Sequence, residues 1–129
     1  AILESFMKKS KILLVEDDPG VRELSRTALE RYNYRVVTAA NGKEALQRFQ
    51  EQKHAIDLLL TDVIMPLMGG KELAGQLRAE KPDMKVIYFS GYTDDSIVHH
   101  GVLDEDVEFI QKPYSHRDLA EKIRTVLEK

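Results

Sequence analysis

The sequence predicts an α/β domain built on a parallel sheet, and three observations carry that prediction. Short apolar runs alternate with longer stretches of helical spacing, five times along the chain. The runs are apolar at nearly every position, as in strands buried on both faces. Polar or charged residues gather where those runs end, at Glu16-Asp17-Asp18, Asp62, Ser90 and Lys112. Strict strand–helix alternation implies parallel neighbours joined by right-handed helical crossovers.

The first strand is Ile12-Leu13-Leu14-Val15. Asp18 followed by Pro19 reads as an N-cap and a first helical position. Val21, Leu24, Ala28 and Tyr32 then recur at helical spacing and predict one core-facing stripe, with Asn33 ending the helix. The second strand is Tyr34 to Thr38. Asn41 with Glu44 three residues on resembles a capping box, and Ala45, Leu46 and Phe49 supply the apolar face of the second helix. The third strand runs from Ile56 to Thr61. Met65-Pro66-Leu67-Met68-Gly69-Gly70 breaks both regular structures and is a loop. Leu73, Ala74 and Leu77 mark the third helix, which must stop before Pro82.

Val86 to Phe89 is the fourth strand, ending at Ser90-Gly91. Thr93 caps a short helix through His100, with Gly101 as its terminator. Val107 to Gln111 is the fifth strand, broken by Lys112-Pro113. Ser115 with Asp118 caps a last helix, whose stripe is Leu119, Ile123, Val126 and Leu127. The result is a flavodoxin-like, doubly wound, five-stranded parallel sheet in the order 2-1-3-4-5, with five helices. In such sheets the site lies at the carboxyl ends of the strands.

Composition removes several function classes. At 129 residues the chain is the size of one domain and needs no covalent staples. It has 19 basic and 22 acidic side chains, a net charge of −3, so it lacks the basic surface expected for direct nucleic-acid binding. It has no cysteine, which excludes disulfides, Cys-ligated zinc and a thiol nucleophile, and which fits a cytoplasmic protein. No apolar stretch approaches the roughly 20 residues of a membrane span. Residues 1–9 are expected to be a linker or appended segment, and 10–129 the domain.

The strand ends define the chemistry. Glu16, Asp17 and Asp62 come together if the first and third strands are neighbours. Like charges in one crevice repel, and a hard divalent cation relieves that repulsion. An all-oxygen donor set, with no histidine near, favours Mg²⁺, with Mn²⁺ as the alternative. Lys112 adds a positive charge and Ser90 a hydroxyl. Together they describe a receptor for a phosphoryl group, with Asp62 as the natural covalent acceptor.

These residues carry a resemblance. Ile12 to Asp18, Thr61 to Gly70, Phe89-Ser90-Gly91 and Lys112-Pro113 resemble the receiver domain of two-component response regulators, over about residues 10–128. The resemblance implies that Asp62 accepts a phosphoryl group from a phosphohistidine. The donor would be a sensor histidine kinase or a histidine phosphotransfer protein. It implies Mg²⁺ on Asp17 directly, on Glu16 through water, on Asp62 and on the backbone carbonyl of Ile64. Ser90 would follow the phosphoryl oxygen, Lys112 would pair with Asp62 and the phosphate, and Phe109 would be the switch aromatic. The Lys112–Pro113 bond would be cis. Ile64 and Tyr92, two residues after Asp62 and Ser90, would shield the phosphoryl group and lengthen its lifetime. A domain of this kind signals rather than turning over a substrate, and it allows a phosphorylation-dependent homodimer. Phe at position 109, in place of Tyr, leaves the switch to packing alone.

The Phe89 to Asp95 segment and His99 to Leu103 further resemble the C-terminal receivers of hybrid sensor histidine kinases, which would place the domain beside a cytoplasmic kinase core. The alternatives are a free-standing response regulator or a phosphorelay intermediate. A haloacid-type phosphatase would need Asp-x-Asp after the first strand. A flavin carrier would need a Ser/Thr/Gly-rich phosphate loop there. The sequence has Glu16-Asp17-Asp18-Pro19, which disfavours both. Asp18 reads as a cap rather than a ligand. His54, His99, His100 and His116 read as solvated residues, and Met65 and Met68 as loop packing.

Overall fold

The computed structural model describes residues 9–52, 55–90 and 108–129. The strands are β1 (Lys11–Val15), β2 (Arg35–Ala39), β3 (Leu58–Asp62), β4 (Lys85–Ser90) and β5 (Glu108–Gln111). All four pairings are parallel, in the order β2-β1-β3-β4-β5. Four helices lie among the described residues: α1 (Pro19–Arg31), α2 (Gly42–Gln52), α3 (Gly70–Glu80) and α4 (His116–Leu127). The expected helix from Thr93 to His100, its terminator Gly101, and Val107 lie outside the described residues. So do Tyr92, His54 and residues 1–8.

Alternation along each strand splits the interior into two layers. Leu13, Val15, Leu59, Val86 and Tyr88 face α2 and α3, meeting Ala45, Phe49, Leu73, Ala74 and Leu77. Ile12, Leu14, Leu58, Leu60, Ile87 and Phe89 face α1 and α4, meeting Leu29, Leu119, Ile123 and Val126. Both faces of β1, β3 and β4 are therefore covered. That is why these strands read as unbroken apolar runs rather than alternating ones. Each fully buried leucine contributes roughly 1.5–3 kcal/mol through burial.

Local signals fix most of the ends. The Asp18 carboxylate accepts from the amides of Gly20 (2.8 Å) and Val21 (3.0 Å), with Pro19 opening α1. The Asn41 and Glu44 box is reciprocal: Glu44 N–H donates to Asn41 Oδ1 (2.9 Å), and Ala40 N–H donates to Glu44 Oε1 (3.1 Å). Ser115 Oγ accepts from Asp118 N–H at 3.0 Å. Asn33 takes the left-handed conformation, φ 71°, just after α1.

Two expectations shift. The third strand begins at Leu58 rather than Ile56; at its entry the Asp57 side chain accepts from the Lys11 amide (2.8 Å), and its backbone bonds Lys11 and Lys85 on the two neighbouring strands. The stripe of α1 is also different. Val21 is 37% exposed, Leu24 64% and Tyr32 46%, whereas Ser25 and Leu29 are buried. A buried serine stands on the core-facing line of the helix, so counting apolar residues alone places that line wrongly.

The loop from β3 to α3 sets the site. Gly70 opens α3 so close to β3 that a Cβ there would stand 2.1 Å from the Asp62 carbonyl oxygen. Its amide donates to the Val63 carbonyl at 2.8 Å. Only glycine allows this approach. Gly70→Ala is expected to destabilise the domain by about 1–3 kcal/mol in urea unfolding. Gly75→Ala, on the same helix with nothing within 4 Å of the new methyl, is expected instead to stabilise it by about 0.5–1 kcal/mol.

Candidate functional site

The carboxyl ends of β1, β3, β4 and β5 converge. Val15 stands opposite Thr61, Asp62 opposite Phe89, and Ser90 opposite Gln111. Glu16 and Asp17 follow β1 directly, so they meet Asp62 across the strand pair. One carboxylate oxygen from each of the three lies within 4.8 Å of the others.

Glu16 is the most enclosed of them, 3% exposed. Its Oε1 accepts from the Asp18 amide at 3.1 Å and its Oε2 pairs with Lys112 Nζ at 3.3 Å. Arg22 of α1 donates to its backbone carbonyl at 2.8 Å. Burial pushes the Glu16 carboxyl above its ordinary pKa, against the opposing pull of the Asp18 amide and Lys112. Asp62 is also pushed up by burial. Lys112 and the amides of Ile64 and Val63 oppose that shift, and the charge of Asp17 reinforces it. Lys112 Nζ lies 3.7 Å from Asp62 Oδ2, so a single ammonium serves two carboxylates. With all three acids ionised the cluster carries a net charge of −2 beside Lys112.

The donor set fits a hard divalent cation. It is all oxygen, is grouped tightly enough to be engaged directly or through water, and lacks the charge that one divalent ion supplies. Ile64 is 40% exposed at the rim of the cluster.

Phe109 is half-buried and packs against the layer formed with α2 and α3, in register with Tyr88. The Lys112–Pro113 peptide is cis. Ser90 ends β4, while its side chain, like all of Tyr92, lies outside the described residues. The sequence pattern overlooked Phe89, Tyr114 and Ser25. Lys112 Nζ sits 4.7 Å from the centre of the Phe89 ring, and Tyr114 meets that ring edge-on. The displaced α1 residues Val21 and Leu24 line a groove of about 350 Å³ with Ser25, Lys112, Pro113, Tyr114 and His116, beside the acidic cluster. The one available signal was the serine among the apolar positions of α1.

With this geometry in place, the family comparison is direct. A response regulator receiver domain model matches residues 12–124. The chain belongs to the response regulator receiver family. This receiver is 39% identical over 118 residues to the sensor kinase CckA of Brucella abortus, covering 92% of the chain but 12% of that kinase. It is 36% identical to the response regulator receiver protein CpdR of the same organism, covering 91% of the chain and 96% of CpdR. Among solved structures, the receiver domain of a hybrid histidine kinase CckA superposes with a TM-score of 0.78 at 35% identity, covering 92% and 99% of the two chains. A receiver domain from Clostridium thermocellum gives 0.80 at 28% identity, covering 92% and 94%. The receiver spans about half of the ycf27 transcriptional regulators it also matches, 49% of the one from Porphyridium aerugineum. It is thus a receiver domain of two-component systems, and its acidic cluster could hold a metal. No helix among the described residues is long and apolar enough to cross a membrane.

The raised carboxyls give a pH dependence of definite sign. Below the ordinary carboxylate range Asp62 is neutral whether the chain is folded or unfolded, and the site costs nothing. As pH rises through its raised pKa, charge builds in the folded state and stability falls. In chelator, Asp62→Asn is therefore expected to raise the thermal midpoint at neutral pH, with the gain vanishing below about pH 4. Added Mg²⁺ should raise the midpoint of the unaltered protein more than that of the variant. A gain that is independent of pH would contradict this origin.

Proposed function

We propose that this receiver takes a phosphoryl group from a protein phosphohistidine onto Asp62 and passes the signal on as a change of shape. The observation that carries this is Lys112 Nζ lying between Asp62 and Glu16, inside a cluster two charges short of neutrality. Asp62 is the acceptor because it ends the central strand, and its carboxylate is held by the Ile64 and Val63 amides. Attack by a carboxylate oxygen on phosphorus forms the acyl phosphate and releases the donor's imidazole, which leaves with a proton. Mg²⁺ on Glu16, Asp17, Asp62 and the Ile64 carbonyl would neutralise charge on the phosphoryl oxygens. Lys112 exchanges its carboxylate partner for the new phosphoryl oxygens. Ser90 and Phe109 are the switch pair.

The donor is a histidine kinase or a histidine phosphotransfer protein, and the apolar groove beside Lys112 offers such a protein a surface next to the acceptor. The domain, residues 10–129, works in the cytoplasm as a signalling module whose only chemistry is its own phosphorylation and dephosphorylation. The likeness to CckA supports a hybrid kinase as its setting, and the likeness to CpdR supports a response regulator.

Beryllofluoride with Mg²⁺ should shift amide resonances around Asp62, Ser90 and Lys112, and Asp62→Asn should abolish the response. An unchanged response in that variant removes Asp62 from its role. Phosphate lifetime tests the rim: Ile64→Asn and Tyr92→Ala should each lose radiolabelled phosphate faster, up to about tenfold, equivalent to about 1.4 kcal/mol of barrier. Rates equal to the unaltered protein's would end the shielding idea.

A further inference from the structure

We propose that Phe89 and Tyr114 are positioning residues for Lys112, forming an aromatic wall that keeps the ammonium beside Asp62 when a cation claims Glu16. This rests on the reading of Asp62 as phosphoacceptor and concerns how its charge partner is held.

Lys112 is held from three directions. Its Nζ is 3.3 Å from Glu16 Oε2, 3.7 Å from Asp62 Oδ2 and 4.7 Å from the Phe89 ring centre. The last distance is well inside the roughly 6 Å reach of a cation–π contact. The ring is 1% exposed, so water does not weaken that attraction from the ring's side. The ring is also fixed in place. Tyr114 meets it edge-on, with centres 6.4 Å apart and planes at 70°. Edge-to-face is the preferred aromatic arrangement, with the positive edge of one ring against the negative face of the other. Beside Tyr114, the buried Ser25 on α1 lines the same groove. The row Ser25, Tyr114, Phe89, Lys112 therefore runs from α1 into the site.

The two carboxylates cannot hold Lys112 by themselves. Glu16 belongs both to the ion pair with Lys112 and to the acidic cluster. A divalent cation on that cluster would draw on Glu16, directly or through water, and would repel the ammonium. Either effect alone would let a long, flexible side chain swing out to solvent. The ring is uncharged and ligates no hard cation, so its attraction for Lys112 persists when the ion pair is lost. The ammonium then remains where an incoming phosphoryl oxygen needs it.

The test begins without a variant. Protons above an aromatic face resonate upfield, so the ε-methylene protons of Lys112 should lie upfield of those of the other lysines. They should stay there on addition of Mg²⁺, and again with beryllofluoride. Lys112 protons at ordinary shifts, or moving to ordinary shifts with Mg²⁺, would overturn the proposal. Phe89→Leu should abolish the upfield shift and weaken beryllofluoride binding by about three- to tenfold. In a Lys112→Met background the same change should have no further effect. An equal loss in both backgrounds would mean that Phe89 acts only as core packing, and would also overturn the proposal. A protein whose Asp62→Asn variant binds beryllofluoride unchanged fails as a phosphoacceptor at Asp62. The Lys112 proton shifts in the cation-free and Mg²⁺-bound protein still decide the role of the ring.

Discussion

The structure depends on gathering charge at the end of an apolar sheet. Glu16, Asp17 and Asp62 each follow or end a strand whose other residues are almost wholly buried. Carboxylates in such a place are costly, and the direction of the Glu16 and Asp62 shifts records that cost. One ammonium, the Asp18, Val63 and Ile64 amides, and the approach of Gly70 to the Asp62 carbonyl hold them there. Apart from the Lys112 ammonium, these contacts come from backbone placed by the sheet or by a helix start. Fold and site are consequently one constraint: the strands must be parallel and adjacent for the charges to meet, and the charges are tolerable only because the strands bring a counter-charge with them.

Much of this was legible in the sequence, for physical reasons that differ by element. The strands were readable because a sheet covered on both faces needs apolar residues at successive positions, and Ile12 to Val15 has them. The starts of α1 and α4 were readable because Asp18 and Ser115 cap through contacts only two or three residues away. The acidic cluster was readable because strand ends in a parallel sheet share one edge. The face of α1 was not readable. Ser25 is buried beside Tyr114, a residue 89 positions on, and no local pattern carries that information. Phe89 and Tyr114 were missed for a related reason. In sequence they are an ordinary strand phenylalanine and a residue after a proline, and only the register of β4 against β3 and the turn after β5 bring them to Lys112. The neighbourhood of Tyr92 and the segment from Thr93 to Gly101 lie outside the described residues.

The relatives show how little of such a protein's wider role resides in this domain. The same receiver accounts for 12% of a sensor kinase, 96% of CpdR and about half of a transcriptional regulator. The share of the whole that such a receiver makes up therefore differs widely among these relatives. On this receiver the exposed Val21 and Leu24 belong to the outer surface, since the interior does not use them.

Strand alternation around Asp62 has one more effect. Phe89 and Phe109 lie on neighbouring strands at the same end of the sheet, yet they belong to opposite layers: the first packs with α1 and α4, the second with α2 and α3. Asp62 thus stands at a fork. Lys112 and the Phe89 ring border its carboxylate on one layer, while Phe109 of β5 belongs to the other. If Asp62 takes the phosphoryl group as proposed, its place between the two layers would let a single domain be addressed from one side and read from the other.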